Sequence, residues 1–397
     1  MKTAPIYALR SISNVHDAPL ARAEPAKEGV RLSPGFTIQT DCFAKAEWVD
    51  IILNFQDASL YQSAAYSGVR WGEKNLSHLV LKQEGEILGA AQVILARLPV
   101  LRSGLAYAKW GPLWQLKDGR RNLHVLRHLL RSLRQTYAVE RRLLLRISPW
   151  EWDDEGIKAV FNEEGFVFKP VLPRAQTAIL DLSCSLEELR ASLTRHWRHN
   201  LKEAEKNNLE IVEGSTKELA ATFSGLYAEM RARKSGGWIP PIGYLGALHS
   251  EMRDGMKPWI SICRHQGEPT AGLVISALGT RGLALFAATG DKGLNLRSSY
   301  LLWWRAIERL KAQGVLVLDV GGIDEKTHPG TSQFKLGLSG KLGRKVEYLG
   351  DFYAWESWTS RFITMGGDSF RMALIKARES FCEWRRARET QGAHVAS

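Results

Sequence analysis

Apolar and polar positions along this chain fall into two periods, and one arrangement of them occurs twice. In the first half, His78-Leu79-Val80-Leu81-Lys82-Gln83 reads as a strand, Glu84-Gly85-Glu86 as a tight turn, and residues 89–95 as the return strand. A further strand is expected at 104–110. A helix follows from about 120 to 137, with Leu123, Leu126, Leu130 and Leu133 on one face, and a strand at 142–147 closes the set. In the second half, residues 259–264, the turn Gln266-Gly267-Glu268 and residues 272–275 repeat the hairpin. A strand at 282–287, a helix at 299–312 and a strand at 315–320 then follow in the same order. Internal duplication accounts for this, and two related α/β domains leave a cleft between them where a site is expected.

Between the halves, residues 185–208 read as one amphipathic helix. Ser185 with Glu188 has the spacing of a capping box. Leu186, Leu189, Leu193, Trp197 and Leu201 share one face, and Arg195, Arg198, Lys202 and Lys206 fall on the other. Such a stripe is either a solvated face or an anion-binding surface. The domain expectations are a loosely ordered leader over 1–34, a first domain over 35–180, a second over 181–350, and a basic helical tail over 351–397. That tail contains Trp358, Trp384, Arg385 and Arg386.

Composition narrows the partners. The 397 residues are 45% apolar and 24% charged, ordinary stock for folded domains. Lys and Arg number 54 against 42 Asp and Glu, a net charge of +12, which favours encounters with polyanions: nucleic acid, anionic lipid or phosphate-bearing substrates. The four cysteines, Cys42, Cys184, Cys263 and Cys382, have neither disulfide-framework nor zinc spacing, so no metal is expected and the compartment is expected to be reducing. The N-terminal segment lacks the apolar run of a signal peptide. The most apolar stretch, 271–290, is cut by Gly279-Thr280-Arg281-Gly282, which suits two strands joined by a turn rather than a span of about 20 apolar residues. The expected location is cytoplasmic, including the inner face of the membrane.

No GxSxG, HExxH or P-loop pattern is present. The most suggestive stretch is 318–350. Gly321-Gly322 follows a buried-type strand and permits close approach by a ligand. Phe334-Lys335 is read as lying in a Gly-rich loop, where the lysine either sits in solvent or stabilises a developing oxyanion or a phosphate.

Five segments resemble the Fem family of non-ribosomal peptidyltransferases. They are Leu60-Tyr61-Gln62-Ser63 with Tyr66 and Val69-Arg70; Ala106-Tyr107-Ala108-Lys109-Trp110-Gly111-Pro112; the basic run 194–206; Tyr300-Leu301-Leu302-Trp303-Trp304-Arg305-Ala306-Ile307 followed by Asp319-Val320-Gly321-Gly322-Ile323; and Phe334-Lys335-Leu336-Gly337. The resemblance implies an α/β fold of two tandem GNAT-like (N-acetyltransferase-like) domains with mixed sheets flanked by helices. It also implies transfer of an amino acid from aminoacyl-tRNA to an amine of a phosphate-bearing peptidoglycan precursor, with no cofactor. On this resemblance Lys335 stabilises the transferring acyl group, and Phe334, Tyr300, Gly321 and Gly322 shape the cleft. Arg70 contacts phosphate, Arg195 and Arg198 compete for a second phosphate position, and Lys202 adds to the same surface. Family members often carry an acidic residue soon after Gly-Pro; here the chain reads Leu113-Trp114-Gln115.

Two rival readings stay open. One is a GNAT-type N-acyltransferase using acyl-CoA or a carrier-bound acyl group, against which stands the poor fit of Lys117-Asp118-Gly119 and residues 291–295 to a pyrophosphate-binding loop. The other is a non-catalytic protein that binds RNA or an anionic membrane surface through its charge.

Overall fold

Two seven-stranded sheets carry the fold. The computed structural model describes residues 32–356, apart from 99–102, 118, 120, 153, 169–174 and 234–241. The expected leader therefore lies outside the described residues except at 32–34, and the expected tail except at 351–356.

The first sheet takes β1 (Phe36–Thr40), β2 (Leu76–Gln83), β3 (Glu86–Leu98), β4 (Ser103–Lys109), β5 (Leu144–Ser148) and β6 (Val167–Phe168). Its helices are α1 (Lys45–Ile52), α2 (Ala64–Trp71), α3 (Leu123–Leu133) and α4 (Glu155–Glu163). The chain continues with β7 (Gln176–Asp181), α5 (Leu186–Ser192), α6 (Arg195–Ala204), β8 (Glu210–Gly214), α7 (Lys217–Arg233), α8 (Leu245–Glu251), β9 (Trp259–His265), β10 (Glu268–Ala277) and β11 (Arg281–Thr289). It continues with α9 (Asp291–Asn295), α10 (Ser298–Ala312), β12 (Val317–Asp319), α11 (Pro329–Ser339), β13 (Arg344–Glu347) and β14 (Phe352–Ala354).

The duplicated order is present: β2, β3, β4, α3 and β5 correspond to β9, β10, β11, α10 and β12. In each set the third and fourth strands pair in parallel, β4 with β5 and β11 with β12. The sheet orders, β1-β2-β3-β4-β5-β14-β6 and β8-β9-β10-β11-β12-β7-β13, match position by position. They also show an exchange. β14, which follows the second half in sequence, enters the first sheet between β5 and β6, and β7 enters the second sheet between β12 and β13. This corrects two boundaries: residues 176–180, expected in the first domain, pair in the second sheet, and 352–354, expected in a helical tail, form a strand of the first.

The exchange is driven by burial as well as by ladder bonds. Phe352, Tyr353 and Ala354 are all buried, and Phe352 stacks on Phe161 with centroids 4.1 Å apart. Each domain has its own core. One joins α3, α4 and one face of the first sheet, the other α5, α6, α10 and one face of the second. A third core belongs to neither, because Trp48, Ile52, Phe55 and Tyr66 from the first half pack with Phe223, Leu226, Leu248 and Val274 from the second. A shared apolar core of this kind sets the two domains rigidly against each other. Its rim is polar: the Gln56 carbonyl accepts the Thr280 N–H at 2.9 Å, and a Cβ on Gly279 would lie 2.1 Å from that same oxygen, so only glycine fits there.

Beside this contact, buried Glu151 accepts from the Gln115 amide at 2.8 Å and pairs with Arg281 at 3.2 Å. Buried Asp57 accepts the Trp114 and Gln115 N–H groups. Burial pushes the Asp57 carboxyl up to about 7, against the pull of Arg281 and those two N–H bonds. The folded protein therefore holds a proton that the unfolded chain releases above the ordinary carboxylate range. The stability contributed by this group is full below about pH 4 and is lost as pH rises through about 7. In Asp57→Asn that loss is removed, so urea-unfolding curves at several pH values should show the variant gaining on the wild type from pH 5 to 7.5. A pH-independent difference would contradict the assignment.

Candidate functional site

The parallel pair β11–β12 has three registered pairs, Arg281↔Val317, Gly282↔Leu318 and Leu283↔Asp319, while β11 runs on to Thr289. In the first domain β4 and β5 are registered from Leu105↔Leu144 to Lys109↔Ser148, and the Trp110 N–H then reaches the Ser148 carbonyl at 2.7 Å. The longer strand thus runs on past the end of its parallel partner in the second domain, whereas the two strands end together in the first.

Where that pairing ends sits Asp319, buried at the end of β12. Its carboxylate accepts from the Thr177 hydroxyl at 2.5 Å, the Gly321 N–H at 2.9 Å, the Trp150 indole at 3.2 Å and the Tyr348 hydroxyl. Burial and the adjacent Asp319 carboxylate push the Tyr348 phenol well up, so it stays a donor. The carboxylate pins the turn that follows. Gly321 has φ +78°, and a Cβ there would lie 2.9 Å from the Ala284 carbonyl, which is why a glycine is needed. The exposed Gly322 carbonyl then accepts the Lys335 ammonium at 2.8 Å.

Lys335 and Phe334 lie on α11, which starts at Pro329, a residue suited to the first helical turn. This corrects the loop expected for them; the glycines at 330 and 337 do not break the helix, and Gly337 lets it pack against Trp197 and Thr194. The half-buried Phe334 ring contacts Trp197, Tyr300 and Trp303 with centroids 5.0–6.0 Å apart, and its carbonyl accepts the Trp197 indole at 3.2 Å. Lys335, Phe334, Tyr300, Gly321 and Gly322 lie together in the structure. A cation held by a backbone carbonyl at the end of a strand has the charge to stabilise a neighbouring oxyanion.

The wall continues into the first domain through aromatic rings. Trp150, bonded to Asp319, stacks on Trp110 at 5.1 Å and 11°. Trp110 meets Tyr348 at 5.7 Å and Tyr61 at 4.5 Å. The Lys109 ammonium lies over Tyr61, 4.1 Å from its centroid. Tyr61 packs edge-on against Tyr66, whose hydroxyl accepts from Arg70 at 3.4 Å, and Arg70 lies 4.4 Å over the Tyr244 ring. Arg70 thus reaches from the first domain onto Tyr244 of the second, and Lys335 lies in the second domain.

The predicted basic helix is two helices. Chain direction changes at Leu193-Thr194, where Thr194 caps α6; the capping box of Ser185 and Glu188 opens α5 as expected. Trp197 and Leu201 are buried, and Arg195, Arg198 and Lys202 are exposed. Arg198 donates to the Ala191 and Leu193 carbonyls, which closes the end of α5. Lys206 lies past the end of α6 and pairs with Glu203. Gln115, three residues after the Gly111-Pro112 pair, is buried and tied to Glu151.

Three participants escaped the sequence reading in these roles: Trp150, Tyr348 and Lys109. Each is brought to the cleft by pairing between distant strands. The one local hint was Lys109 itself, a cation ending a strand of otherwise apolar and aromatic character.

Residues 188–336 match the family model described as an acetyltransferase (GNAT) domain. No curated protein matches the chain. Among solved structures, the crystal structure of FemX superposes with a TM-score of 0.68 over 83% of this chain and 100% of its own, at 13% identity. Looser matches include L-PGS from Bacillus licheniformis (TM-score 0.45, 13% identity, 80% of this chain and 94% of that one). A tandem GNAT protein from the clavulanic acid biosynthesis pathway gives 0.43, 16% identity, 80% and 98%. The expected fold is thus present: two tandem GNAT-like domains, mixed sheets flanked by helices, in the arrangement seen in FemX.

Proposed function

We propose that the protein is a Fem-type aminoacyltransferase, which moves an amino acid from aminoacyl-tRNA to an amine of a phosphate-bearing peptidoglycan precursor. The observation that carries this reading is Lys335, bonded to the Gly322 carbonyl where β11 runs on past the end of β12, whereas β4 and β5 of the first domain end together. One donor site and one acceptor surface fit that asymmetry.

In the reaction, the acceptor amine, as its free base, attacks the carbonyl carbon of the aminoacyl ester. A C–N bond forms, and the carbonyl oxygen gains the negative charge that Lys335 stabilises. The C–O bond to the terminal ribose then breaks, the ribose oxygen leaves with the proton that the attacking nitrogen gives up, and an amide remains. The ester is already activated, so positioning and charge stabilisation carry most of the work. Phe334 and Tyr300 shape the donor end, and Gly321 and Gly322 admit it close to the backbone. Arg70 meets acceptor phosphate. Arg195 and Lys202, exposed on α6, are free to meet RNA backbone or a second phosphate, whereas Arg198 is engaged with the end of α5.

The acyl-CoA alternative draws on the GNAT domain match. Against it, the segment before α10 that would wrap a pyrophosphate is folded as the short helix α9, and a Cβ at Gly293 would lie 2.1 Å from the Thr270 carbonyl. Thermal unfolding with and without acetyl-CoA separates the two. The aminoacyl-tRNA reading expects no rise in melting temperature, and a saturable rise would favour the acyl-CoA enzyme.

A further inference from the structure

We propose that His124 and His128 form a two-histidine seat for a divalent metal ion of the zinc class, on the helical side of the first domain. The seat is independent of the transfer reaction. It also departs from the metal-free chain expected from cysteine spacing, because its ligands come from adjacent turns of one helix.

Local sequence sets the pair. Asn122 caps α3 by accepting the His124 N–H at 2.9 Å, so His124 lies in the first helical turn and His128 one turn later on the same face. The two Nε2 atoms are 3.3 Å apart, with ring centroids at 4.5 Å and planes at 78°. Phe36, the first residue of β1, touches both rings: it stacks on His128 at 4.1 Å and meets His124 edge-on at 5.7 Å. His128 is 1% exposed, whereas His124 is open to solvent. The core under α3 takes Ala106 and Ala108 of β4, so Tyr107 and Lys109 point to the other face of the sheet, and the pair stands apart from the cleft.

The chemistry of the pair suits a metal. Each ring turns a nitrogen, not a C–H edge, toward the other. Burial holds the His128 imidazole below its usual range; His124, Arg131 and Arg127 add to this and Glu164 opposes it, so the ring is neutral at neutral pH and keeps a lone pair. The His128 Nδ1 is buried without a partner, so no carbonyl or carboxylate decides which nitrogen carries the proton. With the proton on Nδ1, Nε2 offers its lone pair to the space shared with His124. Two nitrogens bound at about 2.0–2.1 Å to one tetrahedral ion stand about 3.3 Å apart, which is the spacing present. Imidazole ligands favour zinc, copper and nickel over magnesium and calcium. Among the described residues no group of three or more His, Cys, Asp and Glu side chains gathers to hold a metal, and Glu163 and Glu164 on the neighbouring α4 pair with Arg127 and Arg131. The remaining positions on the ion therefore fall to water, as in an open site rather than a closed structural one.

The test is binding of zinc to the untagged full chain by calorimetry at pH 7.5, in a buffer that does not bind metal. The seat predicts saturable zinc uptake that weakens at least tenfold in His124→Gln, a change at an exposed position that leaves the core intact, as a melting curve would verify. His199→Gln should bind as the wild type does, which separates the seat from the histidines of α6. With labelled histidine rings, zinc should shift the signals of two of the ten histidines in the wild type, and in His124→Gln the His128 signal should no longer respond. No saturable uptake by the wild type, equal uptake by His124→Gln, or a loss in His199→Gln instead, overturns the seat. No transfer is measured, so the aminoacyltransferase reading stands or falls by its own assay.

Discussion

Lys335→Ala is expected to lower the rate of acyl transfer by about 10²–10³-fold, the range found when a single donor to a developing oxyanion is removed. The loss should appear in kcat, because the ammonium acts on charge that exists only as the tetrahedral species forms. Folding should be little changed. The side chain is half-buried on α11, its bond to the Gly322 carbonyl reaches an exposed group, and alanine is a better helix former than most residues. Single-turnover rates with saturating donor, alongside melting curves, check both parts. A variant that keeps near-wild-type kcat would remove Lys335 from the chemistry and leave it as a helix-to-turn tether.

Phe352→Ala is expected to destabilise the first domain by about 3–5 kcal/mol, the usual cost of emptying a buried phenylalanine site. The effect follows from strand exchange. Phe352 comes from β14, the last strand among the described residues, yet it is 1% exposed in a core made by α3, α4 and the first sheet. There it stacks on Phe161 and pairs in register with Ile147 and Phe168. Urea unfolding followed by tryptophan fluorescence would report the loss. Because the domains share a core and each completes the other's sheet, one cooperative transition is expected, moved to lower urea. A shift of a few tenths of a kcal/mol would mean that β14 adds little to the first sheet.

Much of the fold was legible because it depends on local period. The hairpins β2–β3 and β9–β10 have alternating strands and Gly-containing turns, and α10 has a continuous apolar face, so their order could be read twice from sequence alone. α6 was legible by the same logic through Trp197 and Leu201. Strand exchange was not. β14 is three residues, Phe352–Ala354, and nothing in so short a run says which sheet it joins; only the tertiary core decides. The site divides in the same way. Phe334, Lys335, Gly321 and Gly322 are close in sequence and could be marked out together, though the helix that carries the first two was missed because two glycines suggested a loop. Asp319 gathers Trp150, Thr177 and Tyr348, and Lys109 meets residues 70 and 146. Those neighbours lie tens to well over a hundred residues apart, and no spacing rule joins them.

The proposed reaction is transfer of an amino acid from RNA to an amine by this tandem GNAT-like fold. The most direct measurement uses the purified protein with tRNA charged by a mixture of labelled amino acids and with nucleotide-linked and lipid-linked muropeptides as acceptors. Label should move into the muropeptide in an amide bond, dependent on intact aminoacyl-tRNA and lost in Lys335→Ala. No transfer from any charged tRNA, together with acyl transfer from a CoA thioester to an amine, would contradict it.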